Sequence, residues 1–142
     1  MKPIDEIRCA MANIKDTQQI FVAFLEAYVD FNPPLKILLF DDEPDITLWL
    51  GLALEHSGLE VRASTQYSEE VFITELKTAD ILVLDYNMPV LGTEIAKVAR
   101  NIKPNIKIIF ITAYDNVADL ENEIVLHKPF SIDELLKKIR TF

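Results

Sequence analysis

Ile37-Leu38-Leu39-Phe40 followed by Asp41-Asp42 is a short apolar run that stops on acids. Ile81-Leu82-Val83-Leu84 followed by Asp85 repeats the pattern, and Ile108-Ile109-Phe110-Ile111 stops on Thr112. A fourth piece, Val125-Leu126-His127, runs into Lys128-Pro129. Short apolar runs separated by helix-like stretches read as buried strands of a parallel sheet. In open α/β sheets, ligands sit outside the carboxyl ends of such strands. Three acids, a hydroxyl and a lysine therefore converge on one sheet edge. Crowded carboxylates repel each other and call for a cation. Mg²⁺ is the natural one, because it prefers oxygen ligands and commonly shares its shell with phosphate. The pattern reads as a place to put a phosphoryl group on an aspartate, or to take one off.

Outward from these stations, strand and helix patterns alternate. Strands are expected at Lys36–Phe40, Glu60–Ala63, Ile81–Leu84, Lys107–Ile111 and about Ile124–Leu126. Helices are expected from Pro44 to His56, closed by Ser57-Gly58, and from Ser68 to Lys77, with Ser68 as cap. Others are expected from Thr93 to Asn101, briefly near Val117–Asn122, and from Ile132 to Arg140 behind a Ser131–Glu134 capping box. This alternation implies an α/β fold, a doubly wound five-stranded parallel sheet in order 2-1-3-4-5.

Residues 1–34 differ. Ile4, Ile7, Met11, Ile14, Gln18, Phe21, Leu25 and Tyr28 alternate in steps of three and four, a heptad seam with one polar interruption. Asn32-Pro33-Pro34 ends the helix and gives a stiff connector. The expected domains are thus a long amphipathic helix with linker, 1–34, and an α/β domain, 35–142. The seam can pack on the chain's own α/β surface, pair with a second copy as a homodimer or dock a partner, or belong to a linker.

The net charge of −9 argues against a nucleic-acid surface, which needs a basic stripe. Cys9 is the only cysteine, so no internal disulfide can form, as suits a reducing cytosol. No apolar run approaches a membrane span, and the start lacks a secretory pattern. A soluble, cytoplasmic protein is expected. His127 and His56 read as structural rather than as metal ligands.

Asp41-Asp42-Glu43-Pro44-Asp45, Asp85-Tyr86-Asn87-Met88-Pro89, Thr112-Ala113 and Lys128-Pro129-Phe130 together resemble the signature of response-regulator receiver domains. The resemblance covers roughly Lys36 to Arg140 and implies a flavodoxin- or CheY-like fold. It makes Asp85 the phospho-acceptor, a carboxylate that serves as nucleophile when the phosphoryl oxygens are neutralised. Asp41, Asp42, Asp85 and the backbone carbonyl of Asn87 would hold Mg²⁺. Lys128 would pair with Asp85 or a phosphoryl oxygen, and Thr112 would donate to the phosphoryl group once it arrives. Ala113 leaves room for the donor. Asn87 and Tyr114 stand where the family tunes phosphoryl lifetime, and the Lys128–Pro129 bond is typically cis.

Three departures stand out. Met88-Pro89-Val90-Leu91-Gly92 is one residue short between proline and glycine. The span from Thr112 to Lys128 is also short, which truncates the helix before the last strand. Val125 replaces the aromatic that normally moves inward with the threonine. With Asp115, Asp119, Glu121 and Glu123 all acidic, the output face looks altered while the catalytic end looks intact.

The reading is a stand-alone receiver in two-component signalling. Its phosphoryl donor would be a histidine kinase or phosphotransfer protein, and its output a downstream protein target. It is not an enzyme beyond self-catalysed phosphotransfer and dephosphorylation. One rival is a phosphorylation-independent receiver-like scaffold. A second, an aspartate-nucleophile phosphohydrolase, needs an acid where Asn87 stands.

Overall fold

The computed structural model describes residues 17–31 and 33–142, in a unit that ends at Pro34 and a second unit, Leu35–Phe142. In the first, α1 spans Thr17–Phe31 and stops just before the Asn32-Pro33-Pro34 segment. Phe21, Val22, Phe24 and Leu25 are exposed on it. Gln18, Phe21, Leu25 and Tyr28 of the heptad seam fall on α1; Ile4, Ile7, Met11 and Ile14 lie outside the described residues.

The second unit runs β1 (Lys36–Phe40), α2 (Pro44–His56), β2 (Glu60–Ser64), α3 (Glu69–Leu76), β3 (Ile81–Asp85), α4 (Gly92–Ile102) and β4 (Lys107–Thr112). A 3₁₀ turn (Ala118–Leu120), β5 (Ile124–His127) and α5 (Ile132–Arg140) complete it. All strand pairings are parallel and the order is β2-β1-β3-β4-β5, the doubly wound sheet expected.

Successive strand residues point to opposite faces, so each apolar run feeds two cores. Leu38, Phe40, Leu82, Leu84 and Phe110 pack with Phe72 of α3 and Ile95 of α4. Ile37, Leu39, Val83, Ile109 and Ile111 pack with Leu50 of α2 and Leu135 of α5. Each such side chain is worth about 1.5–3 kcal/mol when fully buried, which is why unbroken apolar runs, not alternating ones, specify these strands.

The helix boundaries follow local chemistry. Pro44 stands in the first turn of α2, and Gly58, at φ 89°, turns the chain out of it. The Ser131 hydroxyl accepts from the Glu134 N–H at 3.2 Å and caps α5. Ser68 occupies the cap position of α3, but its hydroxyl makes no capping bond. The helix expected near Val117–Asn122 is only the 3₁₀ turn. The link from Thr112 to Ile124 is too short to rise, cross and return with a full helix. Among the described residues, no helix is long and apolar enough to cross a membrane.

Candidate functional site

The strand order reverses between β1 and β3, and the crevice of a doubly wound sheet opens there, at the carboxyl ends. Asp41 and Asp42 follow β1, and Asp85 ends β3. Oxygens from all three carboxylates lie within 4.8 Å of one another. Asp41 and Asp85 are buried, whereas Asp42 is exposed.

Asp41 is fixed from several sides. Its Oδ1 accepts from the Glu43 N–H at 2.9 Å, and its carbonyl accepts from the Thr47 hydroxyl at 2.7 Å. Its Oδ2 accepts from Lys128 Nζ at 3.1 Å. Lys128 also lies 3.6 Å from Asp85 Oδ2 and 3.6 Å from Glu43 Oε1. It arrives from the end of β5 through a cis Lys128–Pro129 bond. Burial pulls the ammonium down, but the hydrogen bond to Asp41 and the charges of Asp85, Asp41 and Glu43 outweigh it, so the net shift is upward.

Burial pushes the Asp85 carboxyl up to about 6, helped by the Asp41 and Asp42 charges. Lys128 and a hydrogen bond from the Asn87 backbone oppose the rise without cancelling it. One lysine thus faces more negative charge than it neutralises. The donor set, all carboxylate oxygens around an excess of negative charge, fits a hard divalent cation.

The remaining candidates gather nearby. Thr112 is buried at the end of β4, and its Oγ1 accepts from the Tyr114 N–H at 3.0 Å. The Asn87 amide donates to the Tyr114 hydroxyl at 3.2 Å, linking the two positions expected to flank the site. His127 is exposed and His56 ends α2; neither belongs to the acidic cluster. Val125 pairs with Phe110 and is half-buried against the α3–α4 core.

Several contributors were not singled out from sequence. Glu43 completes the acidic ring around Lys128, and the run Asp41-Asp42-Glu43 carried that signal. Gly92 starts α4 so close to β3 that a Cβ there would meet the Asp85 carbonyl oxygen at 2.7 Å. The acidic stretch after Thr112 is also partly compensated. Arg100 of α4 holds Glu123 in a two-bond pair at 2.8 and 2.7 Å, and the Tyr86 hydroxyl donates to Asp119 at 3.1 Å. These partners come from distant segments, so no local pattern announced them.

The response regulator receiver domain model matches residues 37–140. The transcriptional regulatory protein TrcR of Mycobacterium tuberculosis is 32% identical over 114 residues, covering 75% of this chain and 44% of TrcR. Response regulator ArlR of Staphylococcus saprophyticus is 34% identical over 112 residues, covering 74% of this chain and 50% of ArlR. The chain spans about half the length of the curated relatives it matches. Among solved structures, TrrA of Thermotoga maritima, in complex with Mg(2+)-BeF, is 30% identical with TM-score 0.63, covering 75% of this chain and 97% of that one. A receiver protein from Sinorhizobium medicae reaches TM-score 0.65 at 29% identity, over 77% of this chain and 94% of that one. With its sheet order, its acidic crevice and this match, the chain belongs to the response regulator receiver domain family.

Proposed function

We propose that Asp85 is the phospho-acceptor of this two-component receiver, taking its phosphoryl group from a histidine kinase or phosphotransfer protein. The observation that carries this is the Asp85 carboxylate itself, buried 3.6 Å from Lys128 among other acids. With its pKa raised to about 6, it is mostly ionised at neutral pH yet more basic than an ordinary aspartate. One carboxylate oxygen attacks phosphorus, the bond from phosphorus to the donor imidazole breaks, and the electron pair leaves with the ring. Lys128 meets a phosphoryl oxygen, and the Thr112 hydroxyl turns to donate to another. Attack by water later releases phosphate and restores Asp85.

Asp41, Asp42, Asp85 and the Asn87 carbonyl would hold Mg²⁺, which when bound supplies positive charge to offset the phosphoryl oxygens. Of TrrA, the solved complex names Mg(2+)-BeF, and the same carboxylate set supports that reading here. Phosphorylation then switches contacts with a downstream protein in the cytoplasm. Of the two units, the one that ends at Pro34 would pair with a second copy or dock a partner through α1, while 35–142 act as the receiver. A net charge of −9 speaks against nucleic acid as partner.

The 3₁₀ turn in place of a helix, with Val125 beside it, favours a second reading, a scaffold whose contacts ignore phosphorylation. Beryllofluoride titration followed by ¹⁹F NMR separates the two. A bound resonance that requires both Mg²⁺ and Asp85 supports the switch, and its absence supports the scaffold.

A further inference from the structure

We propose that the free edge of β2 is a self-association surface, at which two copies join antiparallel about a two-fold axis through Val61. The strand is the outermost of the sheet. The Glu60 N–H is given to Leu35 and the Ser64 carbonyl accepts from Asp41. By the alternation of a parallel ladder, Glu60, Arg62 and Ser64 turn their backbone groups inward to β1. Val61 and Ala63 therefore turn theirs out to solvent, the exposed row through which an edge strand pairs with another chain.

The side chains select a second copy as the occupant. Glu60 and Arg62 are both exposed, and neither makes an ion pair among the described residues. Same-sign charges on an edge would deter pairing. Here the two signs sit two residues apart on one strand, one on each side of Val61. An antiparallel two-fold at Val61 sets each Glu60 opposite the Arg62 of the other copy, on the same face of the joined sheet. Val61 then exchanges both backbone bonds with its own counterpart, and the Ala63 N–H meets the Leu59 carbonyl of the copy. The Leu59 N–H stays with the Leu54 carbonyl of its own chain, so the pairing rests on the Val61 exchange, one bond at each Ala63 N–H and the two crossed charge pairs.

The opposite face supplies apolar area. Leu48 and Leu52 of α2 are 63% and 58% exposed. They border a groove of about 430 Å³ with Gly51, Val61 and Ala63. Gly51 keeps that groove open, since its missing side chain would lie 3.6 Å from the Ala63 Cβ. Pairing at the edge brings the leucines of both copies to the sides of one Val61 pair.

Two measurements on the full chain test this. Amide exchange followed by NMR from dilute to concentrated protein should slow at Val61 and Ala63 with concentration, while Arg62, already bonded to β1, should not change. Sedimentation equilibrium should show self-association weakened about tenfold by Arg62→Glu, which places like charges in both pairs. Glu60→Arg combined with Arg62→Glu should restore it. Concentration-independent exchange at Val61, or a double variant as weak as the single one, overturns the proposal. Association that leaves exchange at Val61 independent of concentration, through whatever other surface, likewise overturns it.

Discussion

Lys128 lies closer to Asp41 than to Asp85: its Nζ is 3.1 Å from the first carboxylate and 3.6 Å from the second. Without a cation, the lysine is the main positive charge holding a buried Asp41 beside the proposed phospho-acceptor. A metal entering among Asp41, Asp42 and Asp85 must share Asp41 with that ammonium.

Replacing Lys128 with methionine removes the competitor while roughly keeping its bulk. Mg²⁺ affinity, measured by calorimetry, should rise about fivefold, as expected from losing about 1 kcal/mol of repulsion between cations. Metal-free stability should fall by about 1–3 kcal/mol, because the buried Asp41 Oδ2 loses its hydrogen-bond donor. Phosphorylation should be strongly reduced despite the tighter metal.

The raised Asp85 pKa gives a signed pH dependence. Between the unfolded value near 3.8 and the folded value of about 6, the native protein binds the extra proton. The stability this group contributes is therefore present below the lower value and lost as pH rises through the upper one. Asp85→Asn should then stabilise the metal-free protein at pH 8 by about 1–2 kcal/mol, less than the full shift implies because Lys128 loses a partner. Thermal melts at pH 8 and pH 5 check this, and the gain should shrink at the lower pH.

Gly92→Ala places a methyl 2.7 Å from the Asp85 carbonyl oxygen. The backbone must move, since the obstacle is main chain rather than a flexible tip. A loss of about 1–3 kcal/mol is expected in denaturant melts, together with slower phosphorylation because Asp85 is displaced. The shortened link from Pro89 to Gly92 works with glycine at its end for this reason.

The Asn87–Tyr114 hydrogen bond joins the loops after β3 and β4 beside the acidic crevice. Tyr114→Ala removes one end of this bar and should open the phosphoryl group to water. The phosphorylated form should decay several-fold faster, measured by loss of the label after removing the donor, with little change in stability because Tyr114 is largely exposed.

Much of the fold was legible because buried parallel strands are locally apolar. Ile81–Leu84 and Ile108–Ile111 announce themselves without knowledge of their neighbours. Asp41, Asp42, Asp85, Thr112 and Lys128 were legible for a related reason: each follows such a run, and topology gathers run ends on one edge. Other features depended on distance in sequence. Gly92 matters because α4 passes over the Asp85 carbonyl, and Arg100 matters because it meets Glu123 across the sheet edge. The stretch near Val117–Asn122 held helix formers, but chain length overrode propensity and left a 3₁₀ turn.

Intact mass spectrometry after incubation with Mg²⁺ and acetyl phosphate tests the central claim most directly, with Asp85→Asn and a metal-free sample alongside. The expected result is one added phosphoryl group in the parent protein, absent in the variant and absent without metal. An equal gain in Asp85→Asn would contradict the assignment of Asp85. No gain in the parent, with no beryllofluoride binding either, would contradict the phospho-switch itself.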